Sequence, residues 1–362
     1  MIALAPQFTP ELRERVAILG AVAYDIPFDR TRLAPVRDFM DAIALARILR
    51  EQNVTDTFSY FLKPILIGNT AAWLARVPRR NSLVAGLGYV FTDAGPGMPP
   101  LRKRILRRCV GLLLAFAFRL SKQVFLQNEA DRAYFVDRKL LSPRKAVLVA
   151  GTGVDLDHFA FTPLPPGRAR ILFVGRLLRE KGLRELMDAA RILREAGADC
   201  TIALAGGIDS NPGALAEAEV RQWVDDGLCE WLGNLADVRP ELARAHVFVL
   251  PSYREGKPRS TQEALAMGRP VITTDAVGCR ETVEPGLNGW LVPVGDEAAL
   301  ARAIADSITD RDRLMEMGRQ SRRLAEERFD VRTINRLMLE RMGIAFRARP
   351  PSMPATEQDR AR

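Results

Sequence analysis

Histidine and cysteine are scarce in this chain: among its 362 residues stand two histidines, His158 and His246, and four cysteines, Cys109, Cys200, Cys229 and Cys279. No cysteine pair has a C-x-x-C spacing and the histidines stand alone, so no metal or redox site is expected. Both histidines read as packed side chains rather than general bases, and Cys279, after Gly278, as a small hydrophobe. Aromatic residues are only 7% and do not alternate with basic ones, which argues against nucleic acid as a partner. The longest apolar stretch, Val110 to Phe118, falls far short of the roughly 20 residues that cross a bilayer. With no secretory signal pattern, a cytoplasmic protein is expected, attached at most to a membrane surface. Glycine-rich phosphate loops, G-x-G-x-x-G or G-x-x-x-x-G-K-[ST], do not follow the strand at Leu172 to Val174.

Positive charge is abundant. The formal net charge is +9, and the densest run, Leu101 to Lys122, holds Arg102, Lys103, Arg104, Arg107, Arg108, Arg119 and Lys122 with no acid. Basic residues leading into an apolar stretch fit a helix lying on an anionic membrane surface. A core helix with a solvated basic end fits equally well.

The chain alternates strand and helix patterns, the signature of parallel sheets covered on both faces. In the first half, strands are expected at Met1 to Leu4, Ser82 to Ala85, Gln123 to Gln127 and Ala146 to Val149. Helices are expected around Pro35 to Glu51, Leu66 to Ala75, from Leu101, and at Glu129 to Lys139. Three prolines and a glycine at 163–167 break the pattern, and alternation restarts at Arg170. The expected fold is α/β, two Rossmann-like domains facing across a cleft: residues 1–162, a linker at 163–167, residues 168–346, and a disordered tail at 347–362 rich in proline and charge. The opening Ile2-Ala3-Leu4 looks like a second strand, so the amino-terminal domain is expected to lack its first βα unit.

Two blocks carry candidate chemistry. Glu255 and Glu263 are eight positions apart, the first in a turn after the apolar strand Val247 to Leu250, the second in the helix that follows. Such a pair suits a polyhydroxylated ligand. Ser260-Thr261-Gln262-Glu263 also reads as a capping box, which would make Glu263 structural. In the other block Gly175 turns the chain after a strand, and Arg176 and Lys181 follow before a helix. They suit phosphate oxygens, but taken alone they are ordinary surface cations. Asp155-Leu156-Asp157 has the D-x-D spacing of a cation site, in a loop that favours a turn instead.

Together these blocks resemble a family. Val174-Gly175-Arg176, Glu180-Lys181-Gly182, Glu255 to Glu263 as E-x7-E, Ala266 to Val271 and Gly286-Leu287-Asn288-Gly289 are similar to the retaining family 4 glycosyltransferases of GT-B fold. The first half, with Tyr60, Lys63, Pro64, Gly86-Leu87-Gly88-Tyr89 and Gln127-Asn128, resembles the subgroup that builds capsular, exopolysaccharide and O-antigen repeat units on a polyprenyl-diphosphate carrier. The resemblance implies that Arg176 and Lys181 hold the donor diphosphate, Glu255 the donor sugar and Glu263 the ribose. Gly175, Gly256, Lys257, Pro258 and Arg259 would line the donor site, and Tyr60, Lys63, Gly86, Gly88 and Tyr89 the acceptor side. It further implies a nucleotide-sugar donor, UDP-linked, a lipid-linked glycan acceptor, retention without a protein nucleophile, and neither cofactor nor metal. Many members carry a histidine near the donor sugar, where this chain reads Leu83-Val84-Ala85-Gly86.

Two other readings compete. One is a truncated relative that binds nucleotide, membrane or a partner transferase without turnover. The other, an oxidoreductase or epimerase, needs a glycine fingerprint after a first strand and a Tyr-x-x-x-Lys pair, and the fingerprint is lacking.

Overall fold

The computed structural model describes residues 1–26, 34–88, 91, 100–209, 211 and 213–345; Tyr89 and the expected tail at 347–362 lie outside the described residues. The first half contains β1 (Ile2–Ala5), α1 (Pro10–Ile18), β2 (Val22–Asp25), α2 (Pro35–Glu51), β3 (Asp56–Tyr60), α3 (Leu62–Leu74), β4 (Arg79–Val84), α4 (Leu101–Leu120), β5 (Gln123–Leu126), α5 (Glu129–Asp137) and β6 (Ala146–Leu148). The second half continues with β7 (Ala169–Val174), α6 (Leu183–Glu195), β8 (Cys200–Ala205), α7 (Glu217–Asp225), β9 (Glu230–Trp231), α8 (Arg239–Arg244), β10 (Val247–Leu250), α9 (Arg259–Ala266), β11 (Val271–Thr274), β12 (Gly289–Val292), α10 (Glu297–Ser307), α11 (Arg311–Arg328) and α12 (Val331–Met342).

All strand pairs are parallel. The six-stranded sheet runs β12-β11-β10-β7-β8-β9, the four-stranded one β3-β4-β5-β6, and β1 with β2 forms a two-stranded sheet of its own. Strands such as Val247-Phe248-Val249-Leu250 are buried at every position, as a strand covered by helices on both faces must be. Between β6 and β7, residues 160–168 carry no helix or strand.

Four elements differ from the sequence expectation by being present at all: α1, β2, β3 and α12. The nine residues of α1 bury none of their side chains, so no apolar stripe marks the helix; Thr9 caps it and Pro10 opens it. The helix expected from Leu66 begins at Leu62. At α9 the capping box is corrected. Pro258, with fixed φ and no N–H, sets the boundary, so the helix starts at Arg259 and Ser260 lies inside its first turn with no side chain capping the end.

Helix α12 returns to the first half. Leu337, Met338 and Met342 pack with Leu83, Phe125 and Val149 against the four-stranded sheet. Helix α4 combines parts of both readings. Val110, Leu114, Ala117 and Phe118 are buried in the core, while Leu101, Ile105, Leu112, Leu113 and Phe116 on the other side are exposed. Leu101, Ile105, Leu112 and Phe116 recur at spacings of one, two and one helical turns and make a second apolar stripe facing away from the core. No described helix is long and apolar enough to cross a membrane.

Candidate active site

Strands β7 and β10 are neighbours, with Phe248 level with Leu172, so their carboxyl ends deliver two loops to one place. In an open α/β sheet such adjacent strand ends are where ligands bind. The first loop runs through Gly175 and Arg176 to Lys181 and Gly182. Gly182 has φ +71°, a conformation glycine takes without strain, and its Cα lies so close to the Pro251 carbonyl that a Cβ would overlap it. This tight approach, with Tyr253 N donating to Glu180 O at 2.9 Å, brings the second loop against the first. Lys181 Nζ consequently forms an ion pair with Glu255, both side chains mostly buried.

The turn after Glu255 borders a cleft of about 350 Å³ whose opposite wall belongs to the first half. Tyr60, Phe61, Ala85, Gln127 and Thr152 form that wall; Glu255 to Arg259 form this one. Gly86 packs directly on Gly256, close enough that a Cβ on Gly256 would lie 2.6 Å from Gly86 N. Asn128 Nδ2 donates to Gly256 O at 2.9 Å, and Arg254 pairs with the fully buried Asp131.

The expected residues are not all gathered equally. Glu255, Gly256, Lys257, Pro258, Arg259 and Tyr60 line the cleft, and Lys181 joins through Glu255. Gly175 follows β7, and its N–H donates to Ala205 O. Arg176 is half exposed and pairs with Asp209 at 2.8 Å. Glu263 accepts from Arg259 at 2.8 Å rather than from the backbone of Ser260; burial pushes its carboxyl pKa up while Arg259 opposes the shift. Lys257 has its ammonium pKa pulled down by burial, with Glu281 opposing. On the acceptor side, Lys63 does not line the cleft but pairs with Asp38 of α2 at 3.0 Å. Gly86 and Gly88 both take positive φ. Asn128, Asp131 and Arg254 escaped a site reading because Asn128 and Asp131 look like an ordinary helix start, and Arg254 precedes Glu255 with nothing to name its partner.

Buried oxygens at the β10–α9 junction lack a protein partner among the described residues: Ser252 Oγ, Thr261 Oγ1 and Gln262 Oε1. Leaving such groups unbonded costs about 1–3 kcal/mol each, a cost that ligand or solvent contacts relieve. The other sequence candidates have structural partners. Asp155 Oδ1 accepts from the backbone of Asp157 and His158, and Asp157 pairs with Arg332. Among the described residues no three metal-ligating side chains gather. His246 is buried, accepts from Arg170 N at 3.0 Å, and has its pKa lowered by burial. His158 is exposed rather than packed. Cys279 is fully buried, its thiol pushed up to about 12 by burial and by Glu255. Tyr253 and Lys257 do have the Tyr-x-x-x-Lys spacing, but they stand on a loop, and Tyr253 Oη donates to Glu185 instead of facing a cofactor turn.

Residues 168–310 match the family model described as Glycosyl transferases group 1. Over 317 residues the chain is 26% identical to the N,N'-diacetylbacillosaminyl-diphospho-undecaprenol alpha-1,3-N-acetylgalactosaminyltransferase of Campylobacter jejuni, a match covering 84% of this chain and 80% of that protein. It is 23% identical to the capsular polysaccharide biosynthesis glycosyltransferase CapM of Staphylococcus aureus, over 86% of this chain and 82% of that one. Among solved structures, HepE from Anabaena in complex with UDP and glucose superposes with a TM-score of 0.74 at 19% identity, covering 94% of this chain and 91% of HepE. The parallel sheets meeting at a cleft are accordingly the GT-B fold, and the chain is a glycosyltransferase with a group 1 glycosyl transferase domain at residues 168–310, related to enzymes of polysaccharide biosynthesis.

Proposed function

We propose that the protein transfers a sugar, with retention of anomeric configuration, from a UDP-linked donor to a polyprenyl-diphosphate-linked glycan at the inner face of the cytoplasmic membrane. The observation that carries the reading is the Lys181–Glu255 pair, which joins the ends of β7 and β10 beside the cleft. When the glycosidic bond breaks, negative charge develops on the leaving diphosphate. A cation already fixed there stabilises that charge without reorganising, the kind of contribution that dominates catalysis. Lys181 is the buried, positioned cation, and Arg176 the exposed one that can swing from Asp209 onto phosphate.

Glu255 accepts hydroxyls of the donor sugar, Glu263 those of the ribose, and the uncapped start of α9 adds positive potential toward the phosphates. Gly256 to Arg259 close around sugar and phosphate. Tyr60, Gly86 and Gly88 belong to the acceptor side; Lys63 serves that side through its hold on α2. A donor phosphate oxygen takes the acceptor proton on the face from which the leaving group departs. Neither histidine offers an alternative base, since one is buried on Arg170 and the other is exposed beside Phe159. The complex of HepE with UDP and glucose, and the lipid-diphosphate acceptor in the name of the Campylobacter relative, support the two substrate classes. In this reading the donor half spans 168–346 and the acceptor half 1–162, with 163–167 between them. The test is transfer of labelled sugar from a panel of UDP-sugars to a polyprenyl-diphosphate sugar, with Glu255→Gln as the control that must lose it.

The second apolar stripe of α4, flanked by cations, supports docking on anionic lipid. Replacing Arg102, Arg104 and Arg108 by glutamine is expected to weaken co-sedimentation with phosphatidylglycerol vesicles by about 1 kcal/mol per residue. Binding unchanged by the triple replacement would rule this face out.

A further inference from the structure

Site residues on the 252–258 turn come from the second half, which holds the turn through Lys181–Glu255, Tyr253 N–Glu180 O and Glu255 N–Val277 O, yet the residues on either side of Glu255 are also held from the first half. Asn128, 1% exposed, caps α5 by accepting from Asp131 N at 2.7 Å. Its Nδ2 then has two acceptors, Asp131 Oδ2 at 3.0 Å and Gly256 O at 2.9 Å. The second bond spans 128 residues of sequence and crosses the cleft. Beside it, fully buried Asp131 pairs with Arg254, the residue immediately before Glu255. The third contact is steric: Gln127 Oε1 and Gly86 N stand 2.5 and 2.6 Å from where a Gly256 Cβ would be, so only glycine allows the approach.

We infer that Asn128 and Asp131 are positioning residues for the Glu255 turn, so that the first half helps set the working geometry of a site whose donor-side residues belong to the second. This rests on the reading of Glu255 as a donor-sugar ligand. Arg254 and Gly256 flank Glu255 on both sides, and each is held from across the cleft. Glu255 is thus held to Lys181 by its own half and flanked by two contacts from the other, which add to the constraint on where its carboxylate points. The charges facing Asp131 are Arg254, which stabilises its carboxylate, and Glu281, which opposes it; Glu281 also acts on Lys257, so the seam is a small network rather than one pair. The Asn128–Asp131–Arg254 contacts, buried and hydrogen-bonded, contribute orientation more than affinity.

The discriminating variants are Asn128→Ser, which keeps an N-cap oxygen but is too short to reach Gly256 O, and Asp131→Asn, which keeps the shape and removes the charge. UDP affinity by calorimetry and UDP release from UDP-glucose and UDP-N-acetylglucosamine give the readouts, alongside the thermal midpoint. Each variant is expected to lower kcat for UDP release on the order of 10- to 100-fold, the cost of a misplaced reacting group, with KM moved far less. Asn128→Ser should leave the thermal midpoint near that of the wild type. In a Glu255→Gln background Asn128→Ser should add almost nothing, because it acts through that side chain. If Asp131→Asn fails to fold, Asn128→Ser decides alone. UDP affinity and kcat unchanged in Asn128→Ser, while Glu255→Gln abolishes turnover, would overturn this inference and leave the donor reading standing. Turnover undiminished in Glu255→Gln would instead overturn the donor reading itself.

Discussion

Replacing Lys181 with methionine is expected to lower kcat for sugar transfer by about 100- to 1000-fold, the range found when one preorganised stabilising group is removed from a transition state. Methionine keeps the length and the apolar stem, so the chain around Gly182 and Pro251 is undisturbed. What disappears is the fixed charge that the proposed mechanism places beside the leaving diphosphate. Because the change also leaves Glu255 mostly buried without its partner, the double variant Lys181→Met, Glu255→Gln is the necessary companion. If both residues serve one site, the double variant is hardly worse than the single. Arg176→Gln should cost less, since Arg176 is half exposed and already engaged with Asp209. Initial-rate kinetics on the four proteins check the order: Lys181 largest, Arg176 smaller, the double equal to its worse parent.

The second large effect concerns stability. Arg269 is fully buried, and its guanidinium donates to Ala245 O at 2.8 Å, Met267 O, Thr162 Oγ1 at 2.7 Å, Thr162 O and Pro163 O. It fastens the segment where the first half ends to the strand and helix ends of the second. No carboxylate is needed, because several carbonyl oxygens surround the planar fork; burial alone draws its pKa down to about 10, leaving it charged at neutral pH. Arg269→Met fills much of the volume but strands those oxygens. At about 1–3 kcal/mol for each buried acceptor left unbonded, partly relieved by relaxation, a loss of about 2–4 kcal/mol is expected. The measurement is the urea midpoint, which should fall with the slope unchanged. Arg269→Lys, with a point charge in place of the fork, should fall between the two.

Much of the fold was legible because its core strands are apolar over their whole length. Leu172-Phe173-Val174 and Val247 to Leu250 can hardly be anything but buried parallel strands, and their ends located the two loops that matter. The loop cations and the E-x7-E pair were equally plain. Other features carried no local mark. Helix α1 buries nothing, so its polar sequence has no periodicity to find, and α12 matters for where it packs, which composition does not encode. The capping box failed for a chemical reason: Pro258 fixed the helix start one residue early, and Glu263 turned to Arg259. The far wall of the cleft was the least readable part. Arg254 and Asp131 stand 123 residues apart, and nothing in either neighbourhood announces the other.

The most direct test is the stereochemistry and residue dependence of the reaction itself. A UDP-α-sugar, chosen by screening, is incubated with a polyprenyl-diphosphate sugar, and the product linkage is read by NMR. An α-linked product formed by the wild type, and lost in Glu255→Gln and Lys181→Met, is the predicted result. A β-linked product, or α-transfer that persists unchanged in both variants, would contradict it.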